Sequence, residues 1–298
     1  MRAAVLPAVG APLETVDVPG PEGGEIVDVR AAGINFADVL IRRGAYPQMP
    51  ELPYVPGSEV AGDLGGRRVL ALTRGGGGYA ERAAVQPEWT FALPDGASYE
   101  EGAGFLLTFL TAYLPLVRQL RVGPRSAVLV HAASGGVGSA AVQLCRFAGA
   151  HVLGTASSDE KRAVVRDLGA EPLGYDQLDD VRVDVVIDPV GGDVFTQSLK
   201  LLQPLGSIVA IGYAGGAWQP VDPALLVGRN IAVHGLYLGR LMERRPDVVR
   251  EAAHELLALW ARGELRPLVG ATFPLNRAED AFRLIEERRH VGKVVLTP

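Results

Sequence analysis

The sequence has one cysteine, Cys145, in 298 residues. A single thiol excludes an internal disulfide and any cysteine-built metal lobe, and it suits a reducing, cytoplasmic setting. Cys145 itself reads as a small buried apolar residue. Lysine is nearly missing: Lys161, Lys200 and Lys293 are the whole set within 29 Lys and Arg. Asparagine is as scarce. Such an Arg bias suits a hot habitat and a GC-rich genome equally. The five histidines (131, 151, 234, 254 and 290) are scattered and form no metal-ligand spacing. No apolar run approaches the ~20 residues of a membrane-spanning helix, and Met1-Arg2-Ala3-Ala4-Val5 runs straight into a strand-like pattern rather than a secretory leader. There is no positive excess either. The formal net charge of −5 offers no attraction to nucleic acid or to an anionic membrane.

What the sequence does contain is 48% hydrophobic residues and enough length for two cores. Residues 1–95 carry short alternating apolar runs, such as Glu25-Ile26-Val27-Asp28-Val29-Arg30 and Arg68-Val69-Leu70-Ala71-Leu72. Turn signals separate them at Pro19-Gly20-Pro21, Pro56-Gly57, Gly65-Gly66 and Gly75 to Gly78. This is the pattern of an all-β, barrel-like domain. From Tyr99 to Leu120 the spacing turns helical. Strands are then expected at 127–131, 152–155, 183–188, 207–211 and 231–236, with helices near 137–148, 159–168 and 194–202. That βαβ alternation predicts a doubly wound parallel sheet. The tail reads as an amphipathic helix over 247–262, a strand, a helix over 278–288 and a last strand over 294–296. A tail of this kind could return to the first domain.

The run Val128-Leu129-Val130-His131-Ala132-Ala133-Ser134-Gly135-Gly136-Val137-Gly138 carries the strongest chemical signal. An apolar strand ends in a glycine-rich turn, and an apolar helix follows at once. That layout lets backbone N–H groups meet a pyrophosphate at a helix N-terminus. NAD-binding units usually place an acid at the end of the second strand, about 20 residues on, to hold the ribose 2′-OH. Here His151-Val152-Leu153-Gly154-Thr155 ends without one, and Ser157, Ser158, Lys161 and Arg162 follow. A hydroxyl and a cation suit a 2′-phosphate, so the expected cofactor is NADPH. The alternative is that Ser158 caps the next helix while the cations are solvated.

Several further motifs stand in order along the chain: Gly33-Ile34-Asn35-Phe36-Ala37-Asp38, Leu52 to Gly62 with Pro56-Gly57-Ser58-Glu59, Gly78-Tyr79-Ala80-Glu81, Leu110-Thr111-Ala112-Tyr113, His131 to Gly138, and Val291-Gly292-Lys293-Val294-Val295-Leu296. Together they resemble the zinc-free medium-chain dehydrogenase/reductases of the quinone oxidoreductase, or zeta-crystallin, group. The resemblance covers nearly the whole chain. It implies a GroES-like catalytic domain at residues 1–110 and 239–298 and an inserted Rossmann NADP-binding domain at 111–238. It also implies NADPH lying across the domain cleft, and hydride or single-electron transfer to a quinone. A 2-alkenal or enoyl-thioester reductase is the enzymatic alternative. A cofactor- or RNA-binding protein without turnover is the non-enzymatic one, which the acidic charge disfavours. Zinc-dependent relatives place a Cys about where Asn35 stands and a His about where Ser58 stands, so no metal is expected.

The resemblance also assigns residues. Asn35 is the polar residue on the nicotinamide side, with an amide free for cofactor or quinone oxygen, and otherwise a turn residue. Tyr46 is a cleft tyrosine or else a loop anchor. The second tyrosine that relatives often carry is Leu40 here. Thr111 approaches the nicotinamide, and Ser134, Gly135, Gly136 and Val137 line the pyrophosphate. Ser157, Lys161 and Tyr175 hold the 2′-phosphate and adenine. Val190, Ile211, Gly212 and Leu236 end later strands at the edge where ligands bind. Lys293 reaches the cleft or is solvated, and Glu59 is structural. The strand Asn230 to Tyr237 is expected to pair with its copy in a homodimer.

Overall fold

In the strand Glu25–Ile34, Val27, Val29 and Ala31 are buried while Asp28 and Arg30 face solvent. That period of two is the pleat of a half-covered sheet. The computed structural model describes residues 1–298. Its sheet here runs Val269–Pro274, Lys293–Thr297, Glu25–Ile34, Glu59–Leu64, Arg67–Leu72, Thr90–Ala92, with Arg82–Val85 added alongside Glu25–Ile34. All neighbours are antiparallel except the first two strands. Val27, Ala32, Val60, Tyr79, Phe282 and Leu296 share one core. Strands from both ends of the chain therefore build one body, and contacts group Met1–Leu107 with Arg266–Pro298.

The second unit, Thr108–Leu265, is built on a parallel sheet. Its strand order is Glu171–Leu173, His151–Thr155, Ala127–Val130, Val183–Asp188, Leu202–Ala210, Ala232–Gly235. Order reverses at Ala127–Val130, where the chain crosses from one half of the sheet to the other. That is the switch point at which open α/β sheets bind ligands. Val128, Leu129, Val130, Val186 and Ile187 are fully buried, as expected of strands covered on both faces. His131 closes the first strand. Its ring is sandwiched between Thr155 Oγ1 at 2.9 Å and Ser198 Oγ at 2.7 Å, and burial pushes its pKa down to about 3. Cys145, on the following helix Gly136–Phe147, is buried, and burial pushes its thiol up to about 12.

Three features differ from expectation. The helical stretch 99–120 is broken into Tyr99–Gly102, Leu106–Tyr113 and a wide turn Leu114–Gln119, because Pro115 lacks the N–H that a regular helix needs. A helix not expected from the sequence, Phe36–Arg42, begins at Asn35, where the Asn35 N–H donates to the Asp38 carboxylate at 2.9 Å. The second unit also runs to Leu265, past the residue 238 at which the sequence reading ends it. The helix Pro246–Ala261 stays with that unit. It buries Val249, Ala252, Ala253 and Leu256, and its Glu255 binds both Arg118 and the Tyr113 hydroxyl.

Candidate functional site

The glycine-rich turn has the geometry of an anion cradle. Gly135 precedes the helix Gly136–Phe147 with extended backbone. The first N–H returned to the helix is that of Ser139, which donates to Gly135 O at 2.8 Å. The N–H groups of Gly136, Val137 and Gly138 therefore have no intrahelical acceptor, as at any helix start. Ser134 is buried beneath them, and Gly135 to Val137 are half-buried. The turn is held tightly from below. A Cβ on Gly138 would lie 2.2 Å from Ala132 O, and one on Gly154 would lie 2.7 Å from Ala133 Cβ. Ala132, with φ +49°, donates its N–H to the Tyr175 hydroxyl at 3.1 Å, and the Tyr175 ring stacks on His131 at 5.7 Å. Tyr175 thus braces the turn itself. These groups fit a dinucleotide pyrophosphate: uncommitted donors, a partial positive charge and no side chain in the way.

Past the second strand, Ser157 is exposed and Ser158 caps the helix Asp159–Asp167 by accepting the Lys161 N–H at 3.3 Å. Arg162 is spoken for by Asp159 at 2.5 Å and Ala156 O at 3.4 Å. Lys161 is half-buried, and desolvation lowers its pKa below the usual lysine value. The remaining strand ends are stitched together at one edge. Ile211 N–H donates to Asp188 O at 3.0 Å and Leu236 N–H to Ala210 O at 3.1 Å. Val190 N–H and Gly191 N–H both donate to Asp188 Oδ1, at 2.7 and 3.0 Å. The structure therefore gathers Ser134 to Val137, Ser157, Lys161, Tyr175, Val190, Ile211, Gly212 and Leu236 at the carboxyl edge of one sheet. Thr111 lies buried on Leu106–Tyr113 in the same unit.

Asp188 escaped the sequence reading. Its Oδ2 is buried without a partner, and burial raises its pKa. The signal was an acid closing the apolar run Val185 to Ile187.

Asn35 and Tyr46 belong to the other unit. Tyr46 is half-buried against that unit's core. Asn35 sits in a buried polar cluster. Its Nδ2 donates to Glu59 Oε1 at 3.2 Å and lies 3.4 Å from Gly33 O, while its Oδ1 accepts from Lys293 Nζ. Lys293 Nζ also bonds Glu59 Oε1, and Glu59 Oε2 accepts the Leu107 N–H at 3.1 Å. Asp38 accepts from Tyr79 OH at 2.6 Å, and burial raises the Asp38 pKa. Lys293 is 3% and Glu59 1% exposed, so the solvated lysine allowed by the sequence is not what forms. A lone Lys within Val291 to Leu296 was the available signal. This cluster does not suit a zinc ion, because Asn35 and Glu59 are turned toward an ammonium. Nowhere do three His, Cys, Asp or Glu side chains come together.

Comparison with known proteins gives the family. Residues 21–95 match the alcohol dehydrogenase GroES-like domain, and residues 162–296 match the zinc-binding dehydrogenase family. The quinone oxidoreductase of Thermus thermophilus, whose crystal structures include a complex with NADPH, is 43% identical. It superposes with a TM-score of 0.91 over 100% of both chains. A quinone oxidoreductase-like protein 2 homolog of Nematostella vectensis is 33% identical over 99% of this chain and 88% of its own length. The human synaptic vesicle membrane protein VAT-1 homolog is 34% identical over 94% of this chain and 80% of its own. The chain belongs to the medium-chain dehydrogenase/reductase family, in its zinc-free quinone oxidoreductase group, and is an oxidoreductase of a family that binds nicotinamide cofactors.

Proposed function

We propose that the protein is an NADPH-dependent, zinc-independent quinone reductase. The observation that carries this reading is the Lys293–Glu59–Asn35 cluster, in which an ammonium fills the polar centre and no metal donor set exists. A simple carbonyl needs a Lewis acid or a strong proton donor to accept hydride. A quinone is already electrophilic and needs only orientation and hydrogen bonds to its oxygen. The bound cofactor would supply the hydride. Gly136, Val137 and Gly138 N–H groups would hold its pyrophosphate, and Ser157 and Lys161 its 2′-phosphate. Val190, Ile211, Gly212 and Leu236 would orient its nicotinamide end, with Asp188 fixing the Val190 turn. Asn35 and Tyr46 are the polar groups for the acceptor. The quinone oxidoreductase of Thermus thermophilus supports the same acceptor and cofactor by its name.

Steady-state rates decide this, measured with NADPH and with NADH against a benzoquinone, a 2-alkenal and a crotonyl thioester. The quinone should give the highest kcat/KM. Preference for the alkenal or the thioester by tenfold or more, about 1.4 kcal/mol, would move the protein to enone reduction.

A further inference from the structure

We propose that Lys293 and Glu59 are positioning residues that lock the Asn35 amide in one orientation, so that one Nδ2–H is presented to the oxygen of the acceptor. The proposal rests on the reductase reading and deepens it.

An ammonium has no acceptor, and an ionised carboxylate has no donor. Lys293 Nζ must therefore face the amide oxygen, and Glu59 Oε1 must face the amide nitrogen, which is what is found. Flipping the amide would set oxygen against carboxylate and nitrogen against ammonium, and the cluster is too buried for water to soften either clash. The clamp itself cannot drift. A Cβ on Gly33 would come within 2.8 Å of Lys293 Cε and 2.9 Å of Glu59 Oε1, and a Cβ on Gly104 within 3.1 Å of Lys293 Cγ. Glycine at both places leaves room for the lysine stem and little more. Glu59 is held by the Leu107 N–H, and the Asn35 backbone by Asp38.

The two Nδ2 hydrogens then differ. One is committed to Glu59 at 3.2 Å, while the other meets only Gly33 O at 3.4 Å, at the outer edge of hydrogen bonding. That second N–H gains by moving to a nearer oxygen. An ammonium on Oδ1 draws electrons through the amide and makes the same N–H a better donor.

Asn35, Asn230 and Asn276 are the only asparagines, so a chain labelled with 15N-asparagine shows three side-chain amides, and Asn35→Ala identifies one. Lys293→Met alone leaves Glu59 buried and unpaired and is expected to unfold. The informative variant is E59Q with K293M, which is neutral and lets the amide face either way. In the wild type the Asn35 amide should be set apart from the other two and slow to exchange with water. A hydroquinone added with NADP+ should shift one of its two protons. In the double variant the signal should move to the position of a free amide.

With a quinone, N35A and the double variant should each lose kcat about 10²-fold, and adding N35A to the pair should cost nothing more, as expected of residues acting as one unit. The NADPH dissociation constant should stay within about twofold, because the cofactor's phosphates are bound elsewhere. Losses that multiply, a double variant with wild-type kcat, an unmoved amide signal, or a wild-type amide blind to hydroquinone would each overturn the clamp. A wild type that reduces no quinone or enone would defeat the reductase reading instead, and the amide spectra would still decide this one.

Discussion

His131 shows how one buried side chain writes a pH dependence. Its imidazole stays neutral between two hydroxyls, with its pKa lowered from 6.5 to about 3 by burial. The unfolded chain takes up the proton as pH falls below 6.5, and the native chain does not until near 3. Stability from this group is thus complete well above 6.5 and lost on acidification, at a slope that approaches about 1.4 kcal/mol for each pH unit once the pH is well below 6.5. Guanidinium unfolding of the wild type and His131→Gln at pH 7, 6 and 5 should show the gap between them closing by about half that amount from pH 7 to 6 and by nearly all of it from pH 6 to 5. A constant gap would mean that His131 is not held neutral. Lys161 makes the matching prediction for the cofactor. Lys161, half-buried just past the second strand, is the cation proposed for a 2′-phosphate. Losing one charge-assisted bond costs roughly 1.5–3 kcal/mol. Lys161→Ala should therefore weaken NADPH and leave NADH nearly unchanged in a fluorescence titration, and equal losses for both would remove Lys161 from the 2′-phosphate site.

At the scale of elements, the turn between Ala127–Val130 and Gly136–Phe147 depends on how closely the helix approaches the strand. The Cβ that Gly138 lacks would sit 2.2 Å from the backbone oxygen of Ala132, an atom that cannot swing aside. Gly138→Ala should cost about 1–3 kcal/mol of stability by overpacking. If the turn holds the pyrophosphate as proposed, the substitution should also weaken NADPH and NADH together, since the N–H groups of the turn move and the 2′ end does not. Thermal melts with both cofactors check this. This turn was legible in the sequence because strand, glycine spacing and helix follow one another without a break from Ala127 to Phe147. The parallel strands were legible for the same reason: the run Ala127–Val130, for example, is apolar throughout. What escaped was of two kinds, short helices without a periodic stripe and a contact between distant positions. Helix Phe36–Arg42 is started by one backbone bond to Asp38, and short apolar spacing at 36–42 does not announce it. Helices Pro223–Arg229 and Leu238–Arg244 bury almost nothing and so leave no periodic stripe. The Lys293–Glu59 pair joins positions 234 residues apart, and a pattern read along the chain has no means to connect them.

For the whole molecule, the strand Ala232–Gly235 pairs only with Leu202–Ala210 and leaves its other edge open. No charged residue lies within Ile231 to Tyr237, and Tyr237, Val227 and Leu205 are exposed nearby in sequence or across the strand. An unprotected apolar edge is a template for another strand. We expect a homodimer joined by two copies of this edge, an isologous contact. Sedimentation at micromolar concentration should give twice the chain mass of 31.5 kDa, and Val233→Pro should return it to the monomer. A wild type that sediments as a single chain ends that expectation. The strand Lys293–Thr297 carries a different consequence, one for synthesis. Residues Thr108–Leu265 form a continuous stretch that can fold while translation is still under way. The first unit cannot, although most of it leaves the ribosome earlier. Its strand Glu25–Ile34 has to wait for a partner, and Asn35 waits 258 residues for the ammonium that meets its amide. Until then Glu59 has no counter-ion and cannot be buried at acceptable cost. A chain cut short before Lys293 would hold a finished parallel sheet and an unfinished antiparallel one, so the ribosome completes the inserted unit well before the unit whose two halves flank it in sequence.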